Sequence, residues 1–313
     1  MPGVRRILDE RAAGGSPIGL GCMSFGGMYG PTIEAESEAT LARALDLGIT
    51  HWDTANIYGE GESELRIGRF FAANPGSRER VILATKFAIG KTPDGRRKID
   101  NSPAHMRESL DASMKRLGVD HVDLYYLHRF DPSVPIEETV GAMAEEVKAG
   151  RIGAIGLSEV SPDTLRRAAA VHPIAAVQSE YSLWTRQPEL GMLEACAEVG
   201  ALFVAFSPLG RGFFGGSPID PEALPASDFR ASNPRFRGLN WQRNLARRAA
   251  FLELAAKWGV TPAALAIAWT LAKGDHVLPI PGTRYAHHLE DDAGAAAIRL
   301  TSDQVAELER ILP

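Results

Sequence analysis

Four residues of this chain have the types and positions needed to move a proton. Asp53 closes the short run His51-Trp52-Asp53, and Tyr58 follows five residues later, just ahead of the turn glycine Gly59. Lys86 sits near the end of the apolar run Val81–Phe87, and His128 ends Leu124-Tyr125-Tyr126-Leu127-His128. A phenol has a free pKa near ~10, so it is a poor acid at neutral pH unless something stabilises its anion. A neighbouring ammonium does that, each pKa unit being worth roughly 1.4 kcal/mol, and a carboxylate can hold the ammonium in place. A histidine beside them can donate to a substrate oxygen. Such a set supplies a proton to a carbonyl oxygen that is gaining charge, as in ketone reduction. Taken singly, the plainer readings stand: Asp53 and Lys86 as a structural ion pair, His128 as a satisfied core imidazole. Convergence of all four is what points to chemistry.

That convergence needs elements to deliver it. Strand-like and helix-like segments alternate along nearly the whole chain. Apolar runs at Ile18–Met23, Ile49–Thr54, Val81–Phe87, Val122–His128, Ile152–Leu157, Ala175–Glu180, Leu202–Ser207 and Val277–Ile280 read as strands, several of them buried on both faces. Helix-period segments lie between them. Three open with an N-cap followed by proline, at Ser102-Pro103, Ser161-Pro162 and Thr261-Pro262. Leu300-Thr301-Ser302-Asp303-Gln304-Val305 reads as a capping box with a hydrophobic staple, opening a terminal helix to Ile311. Eight strands, each followed by a helix, fit an α/β class chain folded as a closed (β/α)8 TIM barrel. In such a barrel the reacting groups gather at the carboxyl ends of the strands, where Asp53, Lys86 and His128 fall on strands two, three and four. No composition break divides residues 1–313, so one domain is expected. Residues 1–16 precede the first strand as a bottom plug. Residues 209–243 form a long Gly/Pro/Phe-rich loop after strand seven, of a length that is usually functional.

Composition narrows the function. The chain has 313 residues, 45% hydrophobic and 23% charged, and a formal net charge of -5. With no basic field, nucleic acid and anionic membrane surfaces are not expected partners. Arg96-Arg97-Lys98 and Arg247-Arg248 read as solvated faces. The two cysteines, Cys22 and Cys196, make neither a disulfide framework nor a metal site. No apolar run reaches about 18 residues, and Arg5-Arg6 is followed by no secretory apolar segment, so a cytoplasmic location is expected. Nothing in the patterning sets an oligomeric state.

Seven segments resemble those of the aldo-keto reductases, in a resemblance that runs in order from about Gly19 to Asp292: Gly19-Leu20-Gly21-Cys22-Met23, Asp53-Thr54-Ala55-Asn56-Ile57-Tyr58-Gly59, Ala84-Thr85-Lys86, Leu124–His128, Lys148–Ile152, Gly156-Leu157-Ser158 and Ser207-Pro208-Leu209-Gly210-Arg211-Gly212. The resemblance implies Tyr58 as general acid, Lys86 and Asp53 as its tuners and His128 as the group that orients the carbonyl. It also implies a nicotinamide cofactor across the barrel mouth, NADPH rather than NADH. Gly21 and Met23 would border it, Ser158, Glu159 and Gln178 would meet the carboxamide, Phe206 would stack on the ring, and Ser207 to Arg211 would line the pyrophosphate. Pro281, Gly282, Thr283, Arg284 and His288 would surround the adenosine phosphate, and Asp291 or Asp292 the adenine. Gly282 and His288 stand where many members carry Lys and Arg, and Glu159 where an Asn is common. The substrate, a small-molecule carbonyl compound, would meet Phe25, Tyr29, Trp52, Ile57, Phe87, Arg129 and Trp184. Arg129 admits two readings, a group that attracts an anionic substrate or a solvated surface arginine.

Other function classes have less support. A nicotinamide-nucleotide-binding regulatory subunit with little turnover would share the cofactor segments. A metal-dependent barrel hydrolase would need His-x-His or a carboxylate cluster at strand ends. Gly19-x-Gly21 begins a Rossmann-like fingerprint, but Ser24 occupies its third glycine position.

Overall fold

The barrel is organised by the period of its strands. In the computed structural model, which describes residues 15–92, 94–226 and 228–311, eight parallel strands follow one another in chain order. They are β1 (Leu20–Gly21), β2 (His51–Asp53), β3 (Ile82–Phe87), β4 (Leu124–Leu127), β5 (Ile155–Ser158), β6 (Ile174–Glu180), β7 (Leu202–Phe206) and β8 (Val277–Ile280). Gly19 N donates to Pro279 O and Gly21 N to Pro281 O, both at 2.9 Å, and these bonds join β1 to β8. The expected (β/α)8 architecture is what the chain adopts. The plug expected from residues 1–16 lies, but for its last two residues, outside the described residues.

Because successive side chains of a strand point to opposite faces, each strand splits its residues between two cores. On β3, Ile82 and Ala84 pack inside the barrel with Leu124 and Tyr126, whereas Leu83 and Phe87 pack against the surrounding helices. The interior is narrow, and small residues fill much of it: Ala84, Ala154 and Ala176 leave room for the Tyr126 ring. At Gly156 a Cβ would lie 2.4 Å from that ring, so only glycine fits.

The helices are α1 (Glu34–Asp46), α2 (Glu62–Ala73), α3 (Pro103–Leu117), α4 (Ile136–Lys148), α5 (Pro162–Val171), α6 (Met192–Val199), α7 (Gly238–Lys257), α8 (Pro262–Leu271), α9 (Ala286–Ala293) and α10 (Ser302–Ile311). Ser102, Ser161 and Thr261 accept bonds from the backbone N–H groups of His105, Thr164 and Ala264, as their positions predict. At α10 the box is reciprocal: Gln304 N donates to Thr301 Oγ1 and Thr301 N to Gln304 Oε1.

Two elements differ from the sequence reading. An antiparallel hairpin, Ile89–Lys91 with Arg97–Ile99, follows β3, so Arg97 and Lys98 are in a strand rather than a loop. The connection after β7 ends at residue 237, because the 20-residue α7 begins inside the stretch read as loop. Only Asn244, Phe251 and Ala255 of α7 are buried, which is why its apolar period is faint. Among the described residues no single helix is long and apolar enough to cross a membrane.

Candidate active site

Alternation fixes which side chains reach the barrel mouth. With Trp52 turned outward, Asp53 faces in from the end of β2, next to Lys86 on β3. Both are buried, Lys86 at 0% exposure and Asp53 at 2%. The Lys86 ammonium pairs with Asp53 Oδ1 and donates to Thr54 O at 2.8 Å, while Gln178 Nε2 donates to Asp53 Oδ2 at 2.8 Å. Every oxygen of the carboxylate is thus engaged, as a buried ion pair requires. Burial alone would pull the lysine pKa down. Asp53 and Tyr58 outweigh it and hold Lys86 above its ordinary value.

Tyr58 is delivered by a loop clamped at its backbone. Gly26 and Gly59 pass so close that a Cβ on Gly26 would lie 2.5 Å from the Tyr58 carbonyl carbon and 2.6 Å from Gly59 N. Gly59, at φ 61°, turns the chain there. The Lys86 ammonium lies 5.3 Å from the centre of the Tyr58 ring, and the His128 ring 5.9 Å from it at 88°. Burial raises the phenol's pKa and the Lys86 charge opposes the rise without overcoming it. The sequence argument weighed only the ammonium; in the folded protein desolvation wins, and the hydroxyl keeps its proton at neutral pH. His128 is shifted well down, by burial first and then by the charges of Lys86, Arg129 and Arg97. It is a neutral imidazole at neutral pH, with Nδ1 unpartnered.

A cavity of about 620 Å³ opens over these groups. Tyr58, Asp53 and His128 line it, with Lys86 buried beneath. Gly21, Met23, Glu159, Gln178, Phe206, Ser207, Pro208, Leu209 and Arg211 are on its wall. Pro281, Gly282, Thr283, Arg284, His288, Asp291 and Asp292 line it as well, with Pro281 O accepting from Gly21 N at 2.9 Å. The floor leaves no room at Gly21, where a Cβ would lie 2.9 Å from Ile280 O. Beyond β7 the chain turns through left-handed positions at Ser207, Gly210, Arg211 and Gly212 (φ 53°, 54°, 62° and 89°). Asp292 is buried with Oδ2 unpartnered, and burial first, then the Asp291 charge, pushes its carboxyl well above the usual range.

Several expected residues lie elsewhere. Ser158 is buried and its hydroxyl accepts from Arg129 Nη1 at 3.1 Å rather than facing the cavity. Glu159 does line the cavity, from an exposed position at φ 55°, with Oε1 accepting from Glu180 N. Gly210 is covered by the Trp184 and Phe214 rings. Of the substrate-pocket residues, only Tyr29 and Arg129 line the cavity. Trp52 faces the helices: its indole donates to Ile49 O at 2.9 Å and stacks on Phe71 at 5.7 Å. Phe87 shares that outward parity and stacks on Tyr125, and Phe25 is buried in the same outer core. Trp184 sits 4.1 Å from Phe213, packed rather than lining, and Ile57 lies off the cavity wall.

The sequence reading also missed residues. Glu180 lines the cavity, binding Arg211 through Oε2 and Arg235 through Oε1. Its position two residues beyond Gln178, on the same strand face, was a usable signal. Arg230 and Gly215 to Ile219 line it too. They arrive because the 209–237 segment folds back onto the loop after β1, where Tyr29 meets Phe229 at 4.9 Å and the Arg230 guanidinium at 5.2 Å. No local pattern announces that.

Comparison with known proteins bears on the family and the fold. The chain is 44% identical over 295 residues to "Aldo-keto reductase yakc [NADP(+)]" of Schizosaccharomyces pombe, covering 93% of this chain and 86% of that one. It is 43% identical over 299 residues to "Probable aldo-keto reductase 1" of Glycine max, covering 95% and 86%. Among solved structures, the glycerol dehydrogenase AKR11B4 from Gluconobacter oxydans superposes with a TM-score of 0.85 at 28% identity, covering 95% of this chain and 91% of that one. The model of the Aldo/keto reductase family matches residues 17–313, and the chain belongs to that family.

Proposed function

We propose that this protein is an NADPH-dependent oxidoreductase that reduces an aldehyde or ketone to the alcohol, with Tyr58 as the general acid. The observation that carries the reading is the half-buried Tyr58 phenol beside the Lys86–Asp53 pair and the His128 ring, with Tyr58, Asp53 and His128 lining one cavity. Tyr58 donates its proton to the substrate oxygen. The Lys86 ammonium stabilises the phenolate that results, and Asp53, held in turn by Gln178, keeps the ammonium in register. A neutral His128 can donate one hydrogen bond to the same oxygen without competing as an acid.

Bound NADPH would supply the hydride. The cavity's residues fit such a cofactor: the tight floor at Gly21, the left-handed turn from Ser207 to Gly212, and the unpartnered Asp292 oxygen. Arg284, its Nη1 bonded only to the Tyr29 and Gly30 carbonyls, would hold the 2′-phosphate with Thr283 and His288. NADP(+) in the name of the Schizosaccharomyces pombe relative supports the same preference.

Titration with NADPH and NADH by tryptophan fluorescence, followed by a carbonyl panel, tests the reading. Tyr58→Phe should lower kcat by a factor on the order of 10²–10⁴ while the NADPH affinity stays within a few-fold. Failure of the wild type to bind either nucleotide would refute it.

A further inference from the structure

One charged side chain beside these groups neither gives nor takes a proton in the reading above. Arg129 follows His128 directly, lines the same cavity and is half-buried. Its Nη1 donates to His128 O at 2.6 Å and to Ser158 Oγ at 3.1 Å. Both acceptors are uncharged, and both sit at strand ends, so the guanidinium is held in place without being neutralised. Its Nε and Nη2 have no protein acceptor among the described residues, and no carboxylate forms an ion pair with it there. Of the two readings open at the sequence level, an anchored guanidinium on the cavity wall favours the group that attracts an anionic substrate.

The other arginines on the cavity wall show what is unusual here. Arg211 is paired with Glu180 and Arg230 with Asp228. Arg284 alone shares the unpaired condition of Arg129, and it lies where the reading above expects a phosphate. A partly desolvated guanidinium without a counter-ion is costly unless a ligand completes it. Among the neighbouring charges Glu159 acts most on Arg129 and favours its charge, but from an exposed position and without an ion pair among the described residues. Lys86 is already matched by Asp53, His128 is neutral, Arg97 and Arg211 add positive charge, and Glu159 is the acidic group that opposes them from an exposed position.

We propose that Arg129 is an anion-recognition residue, and that the preferred substrates are carbonyl compounds bearing a carboxylate a few bonds from the carbonyl carbon. The short tether follows from sequence adjacency: the arginine's anchor is the backbone carbonyl of the histidine that faces the reacting oxygen. Planar, two-pronged donation by a guanidinium matches a carboxylate better than a lysine would. This proposal rests on the carbonyl-reduction reading, and its test separates the two.

Three acid–ester pairs serve as probes: pyruvate with ethyl pyruvate, 4-oxobutanoate with its methyl ester, and 4-carboxybenzaldehyde with methyl 4-formylbenzoate. The acid-to-ester ratio of kcat/KM is measured for wild type, Arg129→Met and Arg129→Lys. The ratio should fall roughly 10- to 100-fold in Arg129→Met for at least one pair, mainly through KM of the acid, with partial recovery in Arg129→Lys. A ratio unchanged within threefold in all three pairs overturns the proposal, because a residue that only tunes Tyr58 or supports the fold would slow acid and ester alike. A binding measurement runs beside it, with benzoate and benzamide titrated calorimetrically into the NADP-loaded protein. Preference for benzoate, lost in Arg129→Met, supports the anion site; equal affinities in wild type count against it. If wild type turns over neither acids nor esters, the carbonyl-reduction reading fails, and the benzoate titration still decides the role of Arg129.

Discussion

The corner proposed for proton transfer and the cover beside it are held by different physics. The corner stands on the ends of β2, β3 and β4, strands adjacent in the sheet, and its central bond joins two fully buried charges. Its geometry follows from strand parity and from a backbone clamp between Gly26 and Gly59. The cover, residues 209–237, has no strand or α-helix among its described residues. It is held by an aromatic cluster in which Phe213 meets Trp184, Phe214 and Trp241, and by Glu180 bridging Arg211 and Arg235. A corner built on strands is rigid and fixes the chemistry. A cover built on side chains can loosen without disturbing it, as local unfolding is drawn from such segments.

The largest expected effect is at the corner. Lys86→Met leaves the Asp53 carboxylate buried and uncompensated, which should cost about 3–5 kcal/mol of stability in urea unfolding. Turnover should fall by orders of magnitude at the same time. Adding Asp53→Asn should return most of the stability and none of the activity. A Lys86→Met protein as stable as wild type would mean the pair is not what holds the corner.

In the cover, Phe213 is fully buried, and Phe213→Ala should cost about 3 kcal/mol, at the low end for such truncations because the segment can relax. Protease sensitivity should rise within residues 209–237, with weaker NADPH binding and a smaller change in kcat. If kcat collapses as in Lys86→Met, the separation between the two regions is wrong.

The smallest effect is a pH dependence. Burial and the neighbouring cations depress the pKa of His128 in the folded state, while the unfolded chain titrates near ~6.5. Below that value the unfolded state binds more protons, so the stabilising contribution is present above pH ~6.5 and lost as pH falls beneath it. His128→Gln should flatten that limb of the stability profile. An unchanged slope would show that the imidazole is not held neutral by the fold.

Much of the barrel and of the corner was legible because it depends on short-range periodicities. Proline after Ser or Thr marked three helix starts, and continuous apolar runs marked strands. Strand ends then placed Asp53, Lys86 and His128 on neighbours, and Tyr58 lies only five residues from Asp53. The same period-two rule, had it been applied to Trp52 and Phe87, would have turned both outward, since Asp53 and Lys86 must face in. The hairpin after β3 and α7 were less legible, one for its brevity and the other for its sparse apolar face.

The sequence alone therefore determined the strands, the caps and the four residues at the proposed reacting corner, because each is set by neighbours along the chain or by parity on a strand. Tertiary structure decided the rest: that desolvation outweighs the ammonium at Tyr58, that Glu180 ties Arg211 to Arg235, and that residues 209–237 close onto Tyr29. It also decided that Arg129 faces the cavity without an ion pair among the described residues. These depend on burial and on pairings between segments distant in the chain, and neither quantity is written in any local pattern.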